Sequence, residues 1–113
     1  MSQELIARIE AARGPDRGLD CRIWCAVERQ NFDVCQQVVP NFGEWLAPSY
    51  TASIDAALTL VPDGKLFAVE TYDNAGVYPV HVRASAWVQG APRCFAATPA
   101  LALCAAALKA RLA

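Results

Sequence analysis

Apolar residues return at helical spacing in four stretches of the chain and alternate with polar ones in a fifth, and this contrast lays out the elements. Leu5, Ile6, Ile9 and Ala12 recur every three to four positions, preceded by Ser2 or Gln3 and stopped by Gly14-Pro15. That spacing predicts a first helix of about ten residues. Pro15 suits the first turn of a second helix, with Asp16 near its positive end and Leu19, Ile23, Ala26 and Val27 as its apolar stripe. A third helix is capped by Thr51 or Ser53, turns Ile54, Ala57, Leu58 and Val61 inward, and ends at Pro62-Asp63-Gly64. The last takes Thr98 as N-cap and Pro99 at its first position, with Leu101, Cys104, Ala105, Leu108 and Leu112 forming one stripe.

Alternation takes over between the third and fourth helices. Leu66 to Tyr72 reads as a strand, Asp73-Asn74-Ala75-Gly76 as a turn, and Val77 to Gln89 as a long second strand. On that strand Tyr78, Val80, Val82, Ala84, Ala86 and Val88 share one face, and Pro79, His81, Arg83, Ser85, Trp87 and Gln89 share the other. The two strands are expected to pair antiparallel as a hairpin. Between Gln30 and Ser49 the pattern breaks at Asn31, Pro40, Asn41, Gly43 and Pro48, among apolar Val38, Val39, Phe42, Trp45 and Leu46. Within this insert Val34 to Val39 reads either as a short strand or as part of a loop covering one end of the core.

These elements give an α+β fold, a small αβα sandwich in the order α-α-insert-α-β-β-α, with an antiparallel sheet packed by helices. The 113 residues suffice for one core and form one domain, residues 1–113. A two-stranded sheet is a poor core by itself, so a third strand is expected from the insert or from a second subunit, and hence a homo-oligomer.

Composition narrows the partners. Ten basic against eleven acidic residues leave no general attraction for nucleic acid or an anionic membrane. The first ten residues alternate apolar with charged, unlike a secretory leader, and the longest apolar run, Pro99 to Leu108, is about half of what spans a bilayer. A soluble, cytoplasmic protein is expected. Five cysteines, an odd number, argue against a disulfide framework and for buried thiols. Cys21 and Cys25 lack the close spacing of a zinc knuckle, and His81 is the only histidine, so no metal or other cofactor is expected.

Catalytic signatures are missing: the chain has no nucleophile elbow, phosphate loop, dinucleotide turn or zinc-protease helix. A cysteine-dependent enzyme would have to use Cys94 beside the cation Arg93. A binding site is the better-supported reading. His81, Arg83, Ser85 and Trp87 lie on one strand face at two-residue spacing, bringing a guanidinium, a hydroxyl and an indole together, a set suited to a base or an anion. An ordinary solvated strand face uses the same residues. Tyr50 and Thr51, at the start of the third helix, form a second anion candidate that simple capping also explains. Trp45 and Phe42 in the insert are candidate anchors for a protein partner or core residues. Lys109 and Arg111 complement the last helix's dipole from solvent.

The segments Glu4 to Asp20, Tyr50 to Pro62, Ala84-Ser-Ala-Trp87 and Thr98 to Leu108, taken in order, resemble the phage ABA sandwich domain proteins. The resemblance spans nearly the whole chain, with Asn31 to Ala47 matching least. It implies a helix/sheet/helix sandwich from a phage or prophage, in a family with no settled activity and no catalytic motif to carry over. The expectation is a non-enzymatic accessory protein acting in the bacterial cytoplasm by binding, for instance a counter-defence protein that sequesters a small nucleotide signal. The alternative is an adaptor or inhibitor of a host protein.

Overall fold

The computed structural model describes residues 2–28, 48–71 and 82–112. The chain runs through helices α1 (Ser2–Ala11), α2 (Arg17–Glu28) and α3 (Ile54–Leu58), then strands β1 (Phe67–Thr71), β2 (Ala84–Val88) and β3 (Cys94–Ala96), and ends in helix α4 (Pro99–Leu112). The three strands form one antiparallel sheet in the order β1-β2-β3. This is the small α+β sandwich that the sequence pattern predicts.

The third strand comes from neither source expected for it. After β2 the chain reverses through Gly90, whose φ of 95° suits glycine, and returns as β3 with Ser85 opposite Phe95. Because the chain closes its own three-stranded sheet, the argument for a second subunit loses its premise. The Val34–Val39 segment, with Phe42 and Trp45, lies outside the described residues, as does His81.

The core is organised around α4. Thr98 caps it as expected, its hydroxyl accepting the Leu101 amide at 3.2 Å. From Ala100 to Leu108 every residue is buried, so in place of the predicted single stripe the helix is covered on all sides, by the sheet, α1 and α3. Its alanines let the neighbouring backbones approach closely, while Leu101, Leu103 and Leu108 supply the volume, each contributing about 1.5–3 kcal/mol by burial. Leu5, Ile6 and Ile9 of α1 face this core as their spacing predicts.

The start of α2 differs in detail from the sequence reading, whereas α3 takes Ser53, one of its two expected caps. Pro15 precedes α2, and Asp16 is the cap, its carboxylate accepting the Leu19 amide at 3.2 Å. In α3, Ser53 caps by accepting the Ala56 amide. That helix stops after five residues, so Ala57 and Leu60 face the core and Ile54 is 43% exposed. At the far end of α4, Arg111 donates through Nε to the Leu60 carbonyl and Lys109 approaches Glu10 of α1 at 3.4 Å. Both cations tie α4 to its neighbours in addition to complementing its dipole. Among the described residues no helix is long and apolar enough to cross a membrane.

Candidate functional site

Alternation along β2 gives the sheet two chemically different faces. Ala84, Ala86 and Val88 have no exposed surface and join the core against α4. Arg83, Ser85 and Trp87 point the other way, as the sequence predicts, but they are not uniformly open: Arg83 is exposed, Trp87 half-buried, and Ser85 only 1% exposed.

What the strand pattern alone did not reveal is the residue that completes this face. The β2–β3 register ends at Ala86 opposite Cys94, so Arg93, one step further, falls opposite Trp87. Its guanidinium crosses to Ser85, with Nη1 donating to the hydroxyl at 3.0 Å. On the other side β1 sets Glu70 opposite Ser85, and the Glu70 carboxylate lies 3.7 Å from the same Nη1. Among the described residues both contacts of the Arg93 guanidinium therefore use one terminal nitrogen, and its Nε/Nη2 edge makes no hydrogen bond. That edge is the fork that grips a carboxylate or phosphate with two parallel hydrogen bonds. Phe95, opposite Ser85, adds a second aromatic ring to the face. The sequence carries only a faint signal for this grouping, a cation followed by the apolar run Cys94-Phe-Ala96 directly after a turn, and the strand is three paired residues long.

Tyr50 and Thr51 sit elsewhere, in the helical layer. Thr51 donates both its amide and its hydroxyl to Asp20 Oδ1 at 2.8 Å, and its hydroxyl accepts the Asp16 amide at 2.8 Å. Asp20, 1% exposed, receives Arg17 Nη1 on its other oxygen at 2.9 Å. The protein's own carboxylate thus occupies the position an anion would take, and this junction is a latch between α2 and the start of α3. Tyr50 is buried beside it, and its carbonyl accepts the Cys104 thiol at 3.2 Å. Burial pushes the Cys104 thiol up to about 12, with the negative charge of Asp20 adding to the rise.

Cys21, Cys25, Cys94 and Cys104 are buried thiols, as their number suggests. Cys94 and its neighbour Arg93 point to opposite faces of β3. Burial raises the Cys94 pKa, and the Lys109 ammonium offsets only part of the rise. Lys109 is itself raised: burial opposes its charge, but Cys94 and Glu10 outweigh that. A thiol in this state is held protonated. Among the described residues no group of three or more histidine, cysteine, aspartate or glutamate side chains gathers in a way that would hold a metal ion.

No family model, curated protein or solved structure matches the chain. The site is therefore read from its own geometry.

Proposed function

We propose that this chain is a non-catalytic binding protein that takes a small anionic ligand of the nucleotide class on the outer face of its sheet. On the resemblance to phage ABA sandwich proteins, it is a phage or prophage accessory protein that sequesters a nucleotide signal of the host. The observation that carries the reading is Arg93. Its guanidinium is oriented by a buried hydroxyl, keeps its bidentate edge unengaged among the described residues, and lies across the strand from an indole. A guanidinium fork beside an aromatic plane meets the two parts of a nucleotide, phosphate and base. Binding of this kind needs no base or nucleophile.

Calorimetric titration with a panel of nucleoside phosphates tests the proposal. Saturable heat that disappears in Arg93→Gln, with the nucleotide recovered chemically unchanged, is the expected result. A panel without saturable heat overturns the reading, and conversion of the nucleotide overturns its non-catalytic part.

One observation favours the adaptor as a second reading. Leu66 and Phe67 are 67% and 47% exposed at the start of β1, whose only partner among the described residues is β2. Exposed apolar residues on a strand edge suit a protein partner. If the adaptor reading holds, Phe67→Ser reduces co-purification of that partner while the nucleotide titration is unchanged; equal recovery from the variant counts against it.

A further inference from the structure

We infer that Ala68 is the floor of a notch that receives the ligand's base, and that this notch makes the site prefer a purine to a pyrimidine. The inference rests on the nucleotide-binding reading above and adds the residue that sets its base preference.

The strand register puts Ala68, Trp87 and Arg93 in one row across the sheet, because Ala68 pairs with Trp87 and Arg93 falls opposite Trp87 on the other side. All three belong to the outer face, since Val69, next to Ala68, pairs with Ala86 on the helix-facing side. Cross-strand neighbours stand about 5 Å apart at their Cβ atoms. The Trp87 indole therefore has a long side chain beside it on β3 and a single methyl group beside it on β1. Along its own strand it has Ser85, covered by the Arg93 guanidinium, and Gln89, whose carboxamide oxygen accepts the Leu66 amide at 3.2 Å. Of these four neighbours only Ala68 is too short to cover the flank of the indole that it faces, and the indole is half-buried.

Along β1, Leu66 and Glu70 continue the outer face on either side of Ala68, about 13 Å from each other. Both stand out into solvent, Leu66 at 67% exposure and the Glu70 side chain at 61%. A methyl floor between two projecting side chains and beside an indole makes a notch with apolar walls at Leu66 and Trp87. A flat heterocycle laid in it covers the exposed Leu66 and the open flank of Trp87, contacts that stabilise by apolar burial and by stacking. The row also sets the reach. From Arg93 to Ala68 is two strand spacings, about 10 Å, and the guanidinium bonded to Ser85 already crosses the nearer one. A nucleoside monophosphate fills the remainder with its one sugar between phosphate and base. A purine covers more of both walls than a pyrimidine, because its second ring extends along the notch.

The experiment titrates ribose 5-phosphate, cytidine 5′-monophosphate and adenosine 5′-monophosphate into the wild-type chain, Ala68→Leu, Leu66→Ser and Arg93→Gln. This series holds sugar and phosphate constant and adds a base of increasing size. The wild type is expected to bind the adenine nucleotide most tightly and ribose 5-phosphate most weakly. Ala68→Leu fills the notch and is expected to weaken the adenine nucleotide about fivefold or more, the lower end of what stacking one base contributes, while ribose 5-phosphate binds as before. Leu66→Ser removes a wall at an exposed position and is expected to weaken the adenine nucleotide about threefold, again sparing ribose 5-phosphate. Arg93→Gln is expected to lose all three probes. A wild type that binds the adenine nucleotide no more tightly than ribose 5-phosphate, or notch variants that bind it as the wild type does, overturns the notch. If binding still depends on Arg93, the nucleotide-binding reading survives that result. A wild type that binds none of the probes overturns both. Thermal melting of both notch variants is expected to match the wild type, and if Ala68→Leu melts lower, Leu66→Ser decides.

Discussion

The two faces of β2 are built by alternate residues of the same five-residue strand and are held by different forces. On the side of α4, Ala84, Ala86 and Val88 meet a helix that is itself largely alanine and leucine, and none of the three has any exposed surface. Stability there comes from close packing, where a single extra methylene is felt. On the other side, Ser85 is equally buried, yet its partner is a guanidinium that remains partly in water and is balanced by an exposed carboxylate. That face is specified by a few directional contacts, and it can exchange one of them without disturbing the core. The difference teaches where each property resides: the helix-facing side fixes the fold, and the outer side has freedom to bind.

The comparison breaks first if the helix-facing side is not the stabilising one. Leu103→Ala removes a fully buried side chain from α4 and should cost about 2–5 kcal/mol in urea unfolding. Ala86→Leu forces extra volume between β2 and α4 and should cost about 1–3 kcal/mol by the same measurement. A loss below ~0.5 kcal/mol in both would show that the sheet and helix are not closely packed.

Alkaline pH sharpens the contrast. The Cys104 thiol, pushed up to about 12 when folded, keeps its proton where the unfolded chain has lost its own, above about pH 8.5. The unfolded state then binds fewer protons, so stability falls as pH rises, by up to about 1.4 kcal/mol per pH unit between roughly pH 9 and 11. The raised Cys94 thiol and the raised Lys109 act in the same direction, since each holds its proton more tightly in the folded chain. Urea unfolding repeated across that range should show a shallower decline in Cys104→Ala than in the wild type.

The smallest stability change belongs to the outer face. Ser85→Ala removes the acceptor for Arg93 but leaves the guanidinium partly in water, and should cost about 1 kcal/mol. Its larger effect is expected on nucleotide binding, through the loss of the guanidinium's orientation. An unchanged binding curve in Ser85→Ala would show that the hydroxyl does not position Arg93.

Much of this fold is legible along the chain because its signals are local. The Thr98-Pro99 start of α4, the apolar spacing of α1 and the alternation of β2 each follow from neighbouring residues and reappear in the structure. What was not legible depends on partners far apart in sequence. Strand β3 is three residues long, too short to show a period, and exists because β2 offers it a pairing edge. The full burial of α4 reflects its position among the sheet, α1 and α3, and its own residue spacing does not encode that. Ile54 was expected inward, but α3 ends before a second turn and Leu60 takes the inner position.

The candidate site divides in the same way. Arg83, Ser85 and Trp87 share a face as their two-residue spacing requires, whereas Arg93 and Glu70 reach Ser85 only through pairing with β3 and β1. Thr51 looked like a free hydroxyl at a helix start because Asp20, thirty-one positions away, gives no sequence sign of claiming it.

The most direct test of the outer face as the binding face is a nuclear magnetic resonance titration of the labelled chain with adenosine 3′,5′-cyclic monophosphate. The resonances to follow are the Arg93 Nε–H, the Trp87 indole N–H, and the backbone amides of Leu103 and Thr51. The account predicts saturable shifts at Arg93 and Trp87 with a common dissociation constant, while Leu103 in the core and Thr51 in the latch stay in place. Shifts at Thr51 with none at Arg93, or no shifts at all, would contradict it.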